Sequence, residues 1–391
     1  MLVLVLVTSI LLTLLIEILI PIVMYGLAPG FIKDGPKLRL AVLLSQLIFP
    51  YIILVSASRA INQGLRSAGR DISNLNLIIA HLCTAFIILL LDQYSHNIVY
   101  VLVLSILSAG MLQLTHSIIN LHNTGIKIKL AGMQPSRDKN LSVMSPDTVL
   151  AHIPQLNAIT SIILASFVPS GIAYLYYSYQ LQQILAAILL AAIAPKKSMP
   201  LSTQKCIELG VLLGLPTAGM LAIIPDEIVS VLFAHGKFSG AQEVAKTLAA
   251  ISIGLPAVII SEMLKDSIKN SELIKIYLKC LAFNIILSLL LIVPLKHIGI
   301  ALGASISAWI GVFLIILQLE DRAMSLDKLG RMSSCCLLML LAISVVSSLL
   351  QGLFRFHSLP MQLLGLLITI AAGAGTYLAA LRLTKAYSRK N

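Results

Sequence analysis

The sequence predicts an all-α polytopic membrane protein of about twelve transmembrane helices. Three observations carry that reading. Of the 391 residues, 58% are hydrophobic and 11% are charged, against about 25% charged in an ordinary soluble domain. The mean hydropathy is +0.96. The apolar residues also come in continuous runs of about twenty, the length that crosses roughly 30 Å of hydrocarbon. Soluble enzymes, secreted disulfide scaffolds, disordered chains and nucleic-acid binders are excluded by this composition. A β-barrel is excluded by the runs themselves, which lack the alternation of barrel strands.

In chain order the expected spans lie near 3–29, 38–61, 75–92, 97–121, 150–168, 173–194, 206–224, 244–264, 276–295, 299–318, 332–353 and 359–381. The first is too long for a signal peptide and lacks a basic leader and a cleavage site. The basic residues test the count. With the connections assigned to alternate faces, one face carries 21 Lys and Arg and the other 7. Lys and Arg collect on the cytoplasmic side, so both termini are expected to be cytoplasmic. The net charge of +12 then reflects membrane orientation, and no polyanion partner is needed to explain it. The longest connection, 123–149, is polar and basic and forms a cytoplasmic linker. Residues 385–391 form a basic tail.

Polar groups deep in a span are costly and mark packing bonds or functional sites. Glu17 lies inside the first run (LLIEILIPIV) and is a possible ion or proton site, beside Pro21. Arg59 ends the second span, where it either snorkels to the surface or points inward at an anion. The fifth span opens with Pro154, Gln155, Asn157 and Thr160, which is either interhelical glue or the wall of a polar cavity. The sixth opens with Tyr174, Tyr176, Tyr177 and Tyr179, followed by Gln180, Gln182 and Gln183. The tyrosines suit an interfacial belt, and Gln180 lies deeper. Glu262, Lys265, Asp266 and Lys269 end the eighth span as an ion-paired helix end, with Glu262 a second possible ion or proton site. The five cysteines have no CxxC spacing and read as small core residues. Phosphate loops, nucleophile elbows and zinc motifs are absent from the sequence. No enzyme, metal or cofactor is expected.

Several stretches together carry a family resemblance. They are LAPGF (Leu27–Phe31), FPY (Phe49–Tyr51) and QLN…ASFVPSG…YLYY (Gln155–Tyr177). VLFAHGKF (Val231–Phe238) and PLKHIGIAL (Pro294–Leu302) follow. In order and spacing they resemble the MurJ/MviN lipid II flippases of the MOP exporter superfamily. The resemblance implies a MOP/MATE-like architecture of two helical bundles around a central cavity, with two further C-terminal helices. It implies that undecaprenyl-linked peptidoglycan precursor is flipped across the bacterial inner membrane by alternating access. On that basis residues 1–122 form a truncated N-terminal bundle of four spans. Residues 123–149 form the linker, 150–318 a six-helix bundle, 332–384 the two additional helices and 385–391 the tail. The family has fourteen helices, so the twelve here suggest that its first two are missing.

The resemblance also exposes departures. Gln180 stands where the family motif has an arginine, Ser161 where it has Asp or Asn, and Glu262 where it has a lysine. Arg59 occupies a position that is usually small. The expected substrate-binding residues are Arg59, Gln155, Asn157, Tyr177 and Gln180. The partners are the lipid-linked precursor and membrane lipids, with no nucleic acid and the protein a monomer. Two other readings stay open: another MOP-type exporter of a lipid-linked oligosaccharide or small solute, and a truncated remnant that does not transport.

Overall fold

The computed structural model describes residues 2–67, 82, 84–88, 90, 98–124, 146–193, 202–234, 238–319, 325–355 and 358–386. The chain divides into two units, residues 1–142 and 143–391. All regular structure among the described residues is helical. Seven described helices are long and apolar enough to cross a membrane, and a bent pair makes an eighth. Helices stand at eleven of the twelve expected positions. Of the third expected span, 75–92, only residues 82, 84–88 and 90 are described, and they are helical; most of the linker lies outside the described residues.

In the first unit, α1 is Leu2–Leu27, α2 Gly35–Ile48, α3 Tyr51–Ser67 and α4 Ile98–Asn123. The Asp34 side chain caps α2 by accepting from the Lys37 backbone N–H at 3.2 Å. Phe49 and Pro50 break the second expected span into α2 and α3. Pro21 sits inside α1. A proline has no N–H to give, so the carbonyl four residues earlier, on Glu17, loses its helical partner. Gln46 Nε2 of α2 donates to that oxygen at 3.2 Å. Helices α3 and α4 pack together, joined by a buried 2.7 Å bond between the Ser58 and Ser117 hydroxyls. Gly110 makes room there, since a Cβ would lie 2.7 Å from the Tyr51 ring.

The second unit contains α5 (Pro146–Ala165), α6 (Gly171–Ile193), α7 (Thr203–Ile223), α8 (Pro225–Phe233), α9 (Ala241–Ser252), α10 (Leu255–Leu264), α11 (Asn270–Gln318), α12 (Leu326–Arg355) and α13 (Leu359–Leu383). Its largest buried cluster joins α6, α7, α9, α10 and the C-terminal helices through Leu175, Leu221, Leu248, Leu255 and Met332. Helices α5 and α6 have the length of a span and fall outside the apolar set, because Gln155, Asn157, Gln180, Gln182 and Gln183 interrupt them. The eighth expected span is not one rod. It is α9 and α10, bent by 43° at Ile253–Gly254. Pro256 cannot donate to the Ser252 carbonyl, and this weakens the helix at that point.

Helix α11 has 49 residues. A straight helix of that length would run about 73 Å, more than twice the hydrocarbon core. It is two spans, folded back at Lys296, whose φ is 51° and ψ −130°. Glycines allow the return. A Cβ on Gly299 would lie 2.3 Å from the Leu291 carbonyl, and one on Gly303 2.6 Å from Ser288 Oγ. Small residues every four positions are the usual means of close helix approach in membranes.

The C-terminal pair α12–α13 docks on α7 and α8 through three polar bonds. Lys328 Nζ lies 3.3 Å from Glu208 Oε1. The Tyr377 hydroxyl donates to the Leu212 carbonyl at 2.8 Å. The Ser347 hydroxyl donates to Glu227 of α8 at 2.6 Å. Leu212 is four residues before Pro216, so Tyr377 fills the same kind of vacancy that Gln46 fills in α1.

Candidate functional site

The second unit encloses a cavity of about 330 Å³ between α5, α6, α10 and the two halves of α11. Asn157, Tyr179, Gln182, Glu262, Tyr277 and Ser305 provide its polar wall. The room comes from Ala304, Ser307, Ala308 and Gly311 on the second half of α11. One end of the cavity lies at the α9–α10 break, where Ile251 and Gly254 line it. Glu262 stands at the other end, exposed and paired with Lys265. Apart from Ser261 and Ser307, the rest of the wall is apolar.

Most of those polar groups are engaged. Asn284 Nδ2 of α11 donates to Asn157 Oδ1 at 2.6 Å. The Ser288 hydroxyl donates to Asn284 Oδ1 at 3.1 Å, and the Ser161 hydroxyl to the Asn157 carbonyl at 3.1 Å. Asn284 is 1% exposed. A buried amide side chain must be paired, and this chain of bonds ties α5 to α11.

The residues singled out by sequence do not gather at one point. Asn157 and Glu262 line the cavity. Tyr177 points away from it into a cluster with Phe233 and Phe238, ring centroids 5.0 and 5.3 Å away. Gln155 and Gln180 are exposed on α5 and α6, and Arg59 is exposed on α3 of the first unit. Glu17 is half-buried, with its main chain engaged by Gln46. The expected ion pair at the end of the eighth span is present between Glu262 and Lys265. Four cysteines are described, and none of them is in a disulfide. No group of three or more His, Cys, Asp and Glu among the described residues could hold a metal ion.

Tyr179 and Gln182 stand out in the sequence at the start of the sixth span but are not among the expected substrate-binding residues, and Asn284 and Ser305 are not singled out by the sequence at all. Helical phase is the signal that could have singled out Gln182. Ser178 and Gln182 lie four apart on the buried face of α6, where they donate to the Val244 and Ile251 carbonyls of α9 at 3.0 and 2.7 Å. Tyr177 and Gln180 lie off that line.

At the opposite end of the unit, connections converge. His297, 4% exposed, stacks against Tyr174 with centroids 4.9 Å apart. Its Nε2 lies 3.2 Å from Glu243 Oε2. Gly240 adopts a φ of 143°, and a Cβ there would meet the Tyr174 ring at 2.8 Å. On the short helix α8, burial and the neighbouring Glu227 raise the Asp226 carboxyl above its ordinary range, and Lys246 partly offsets them.

Long apolar helices, one broken and one doubled back, and polar side chains held inside a bundle define a polytopic membrane protein. The family model "Lipid II flippase MurJ" matches residues 1–365. The chain belongs to the MurJ family. A probable lipid II flippase MurJ of Rickettsia prowazekii is 29% identical over 79% of this chain and 65% of its own length. One from Buchnera aphidicola of Acyrthosiphon pisum is 27% identical over 75% of this chain and 62% of its own. The lipid II flippase MurJ of Burkholderia cenocepacia is 25% identical over 77% and 64%. The chain thus spans a little under two thirds of the length of these relatives. A solved structure titled "Lipid II flippase MurJ, inward closed conformation" superposes with a TM-score of 0.73. That likeness covers 97% of this chain and 81% of the other, at 18% identity. It shows a shared fold, and with the family match it makes this a multi-pass bacterial membrane protein.

Proposed function

We propose that the chain moves lipid II, the undecaprenyl-linked peptidoglycan precursor, across the bacterial inner membrane by alternating access. The family match over residues 1–365 carries this reading. The division into two helical units suits alternating access, in which one bundle moves against another. The protein acts as a transporter, not as a catalyst, with both termini in the cytoplasm, as the uneven distribution of Lys and Arg suggests.

A diphosphate cannot cross hydrocarbon without a polar and preferably cationic path. Arg59 is our candidate for that charge. It is exposed on α3, beside Ser56, Ser58, Asn62 and Gln63 of the same helix. In the second unit, Gln155, Gln180 and Tyr177 are our candidates for neutral hydrogen bonds to the substrate. Asn157 acts from the cavity side as a positioning residue for α5. The chain would work as a monomer, in contact with the precursor and with membrane lipids.

Complementation tests the reading. The chain is expressed in a bacterium whose own lipid II flippase can be switched off, and membrane insertion is checked by blot. Growth is the expected result, with Arg59→Gln growing poorly. Lysis despite normal insertion would overturn the proposal.

A further inference from the structure

The stretch PLKHIGIAL holds a buried titratable side chain that lipid II translocation leaves unused. His297 follows Lys296 at the turn between the two spans of α11. Lys296 takes a φ of 51°, a backbone that residues other than glycine rarely adopt, so the turn depends on what is buried beside it. The His297 side chain is 5% exposed. Its ring lies against Tyr174 of α6, and its Nε2 is 3.2 Å from Glu243 Oε2 of α9. One ring thus joins three elements at one end of the second unit. Neither ring nitrogen has an aligned hydrogen bond among the described residues. Buried polar groups are ordinarily paired, so an unpaired one at such a junction needs a physical reason.

The surrounding charges decide which form of the ring fits. Among the described residues, the charged groups acting on it are Glu243 and Lys246 of α9 and Lys296 of the turn. Tyr174 is the titratable group that α6 presents to it. His235 and Lys237, in the connection before α9, lie outside the described residues. Glu243 is already engaged, since Lys246 Nζ donates to its Oε1 at 2.7 Å. Asp226 of α8 acts on Lys246. A neutral imidazole adds no charge to this set. An imidazolium would make three cations around one carboxylate, in a place cut off from water. Burial accordingly pushes the His297 imidazole below its ordinary value; Glu243 opposes that, and Lys246 and Lys296 reinforce it. The Glu243 side chain is itself 35% exposed, so a proton can reach the ring from water along its carboxylate.

We propose that His297 is a proton sensor: neutral, it seals the junction of α6, α9 and the α11 turn, and on taking a proton it leaves the Tyr174 face for water and loosens that junction. The turn at Lys296 gives way because the buried ring beside it is one of the contacts that keep it closed. The sign follows from the lowered value. The opened chain binds the proton more tightly than the closed one, so the junction holds best above about pH 6.5 and weakens as pH falls through that value. The effect has a ceiling. One imidazole of ordinary value when free raises the open population by at most about tenfold between pH 7.5 and 5.5. On the orientation proposed above, this end faces away from the cytoplasm, and the sensor reads external acidity. Neither the side nor lipid II enters the test.

Amide hydrogen exchange of the purified full chain in detergent reports local opening. It is read by peptide mass spectrometry at pH 7.5 and 5.5 and corrected for the intrinsic amide rate. Peptides from α9 and from the α11 turn should open severalfold more at pH 5.5, while peptides around Met332 of α12 stay unchanged. His297→Phe keeps a ring against Tyr174 and cannot take a proton, so its α9 and turn peptides should show no acid effect. Glu243→Gln removes the carboxylate that eases protonation of the buried ring, so there the acid effect should grow toward the tenfold ceiling. No acid effect in the wild type, or one that survives in His297→Phe, would overturn the proposal. So would an equal effect around Met332, because the opening would then be global. Should the phenylalanine variant not fold, Glu243→Gln decides: an acid effect no larger than that of the wild type overturns the sensor.

Discussion

Replacing Tyr377 by Phe removes one atom, and its cost depends on a proline 161 positions away in sequence. Pro216 leaves the Leu212 carbonyl without its helical donor, and the Tyr377 hydroxyl supplies one at 2.8 Å. Both residues are buried, at 6% and 8% exposure, so water does not replace the lost bond freely. A buried carbonyl left unpaired costs about 1–3 kcal/mol. Side-chain bonds between membrane helices measure lower, about 0.6 on average and about 1.7 kcal/mol at most. The loss should therefore be about 1–2 kcal/mol, toward the upper end of the membrane range because the carbonyl has no alternative partner. Pro216→Ala restores an N–H to position 216, which can bond the Leu212 carbonyl along the helix. In that background Tyr377→Phe should cost less than about 0.5 kcal/mol. Equilibrium unfolding in mixed micelles of the wild type, both single variants and the double variant gives the coupling directly. Equal costs in the two backgrounds would refute the argument that the tyrosine serves the proline's vacancy.

Other predictions follow from the same geometry. Asn284→Ala and Asn157→Ala should each destabilise by about 1–2 kcal/mol, and together by clearly less than their sum, because they share one bond; an additive double variant would contradict the 2.6 Å contact. Gly303→Val should abolish the close return of α11, since even a Cβ meets Ser288 Oγ at 2.6 Å; loss of monodisperse protein in size-exclusion chromatography is the expected outcome. Asp226→Asn should raise the thermal midpoint at neutral pH. The Asp226 carboxyl is raised above its ordinary 3.8 by burial and Glu227, so its ionisation in the folded state costs stability as pH rises through that raised value. The gain should vanish at pH values low enough to protonate the carboxyl in both folded and unfolded chains, and a gain independent of pH would refute the assignment.

Much of the fold is legible in the sequence because a lipid solvent leaves few options. A twenty-residue apolar run must be helical to pair its backbone, so the boundaries of α1, α4, α7, α12 and α13 follow from hydropathy. The break in α9–α10 is less visible. ISIGLP is apolar throughout, and Gly254 and Pro256 signal a weak point without saying which side chains would hold it. The candidate site was legible in part. Asn157 stood out as an amide in an apolar run, and it does line the cavity. Its partner Asn284 lies 127 positions later, and no local pattern links the two. Gln180 stands out by its depth in the membrane and Tyr177 by the family-like YLYY stretch, whereas Gln182 is set by helical phase against α9. Gln46 and Tyr377 answer vacancies made by Pro21 and Pro216, which are readable as prolines but not as pairs.

The central claim is that the chain carries lipid II across a membrane. The most direct measurement places fluorescent lipid II in both leaflets of sealed vesicles, with and without the reconstituted chain, and adds an impermeant quencher outside. Translocating protein should make nearly all of the label quenchable over time, with Arg59→Gln slowing the second phase and leaving the first untouched. A quenchable fraction that stays near one half with the intact, correctly inserted chain would contradict the account.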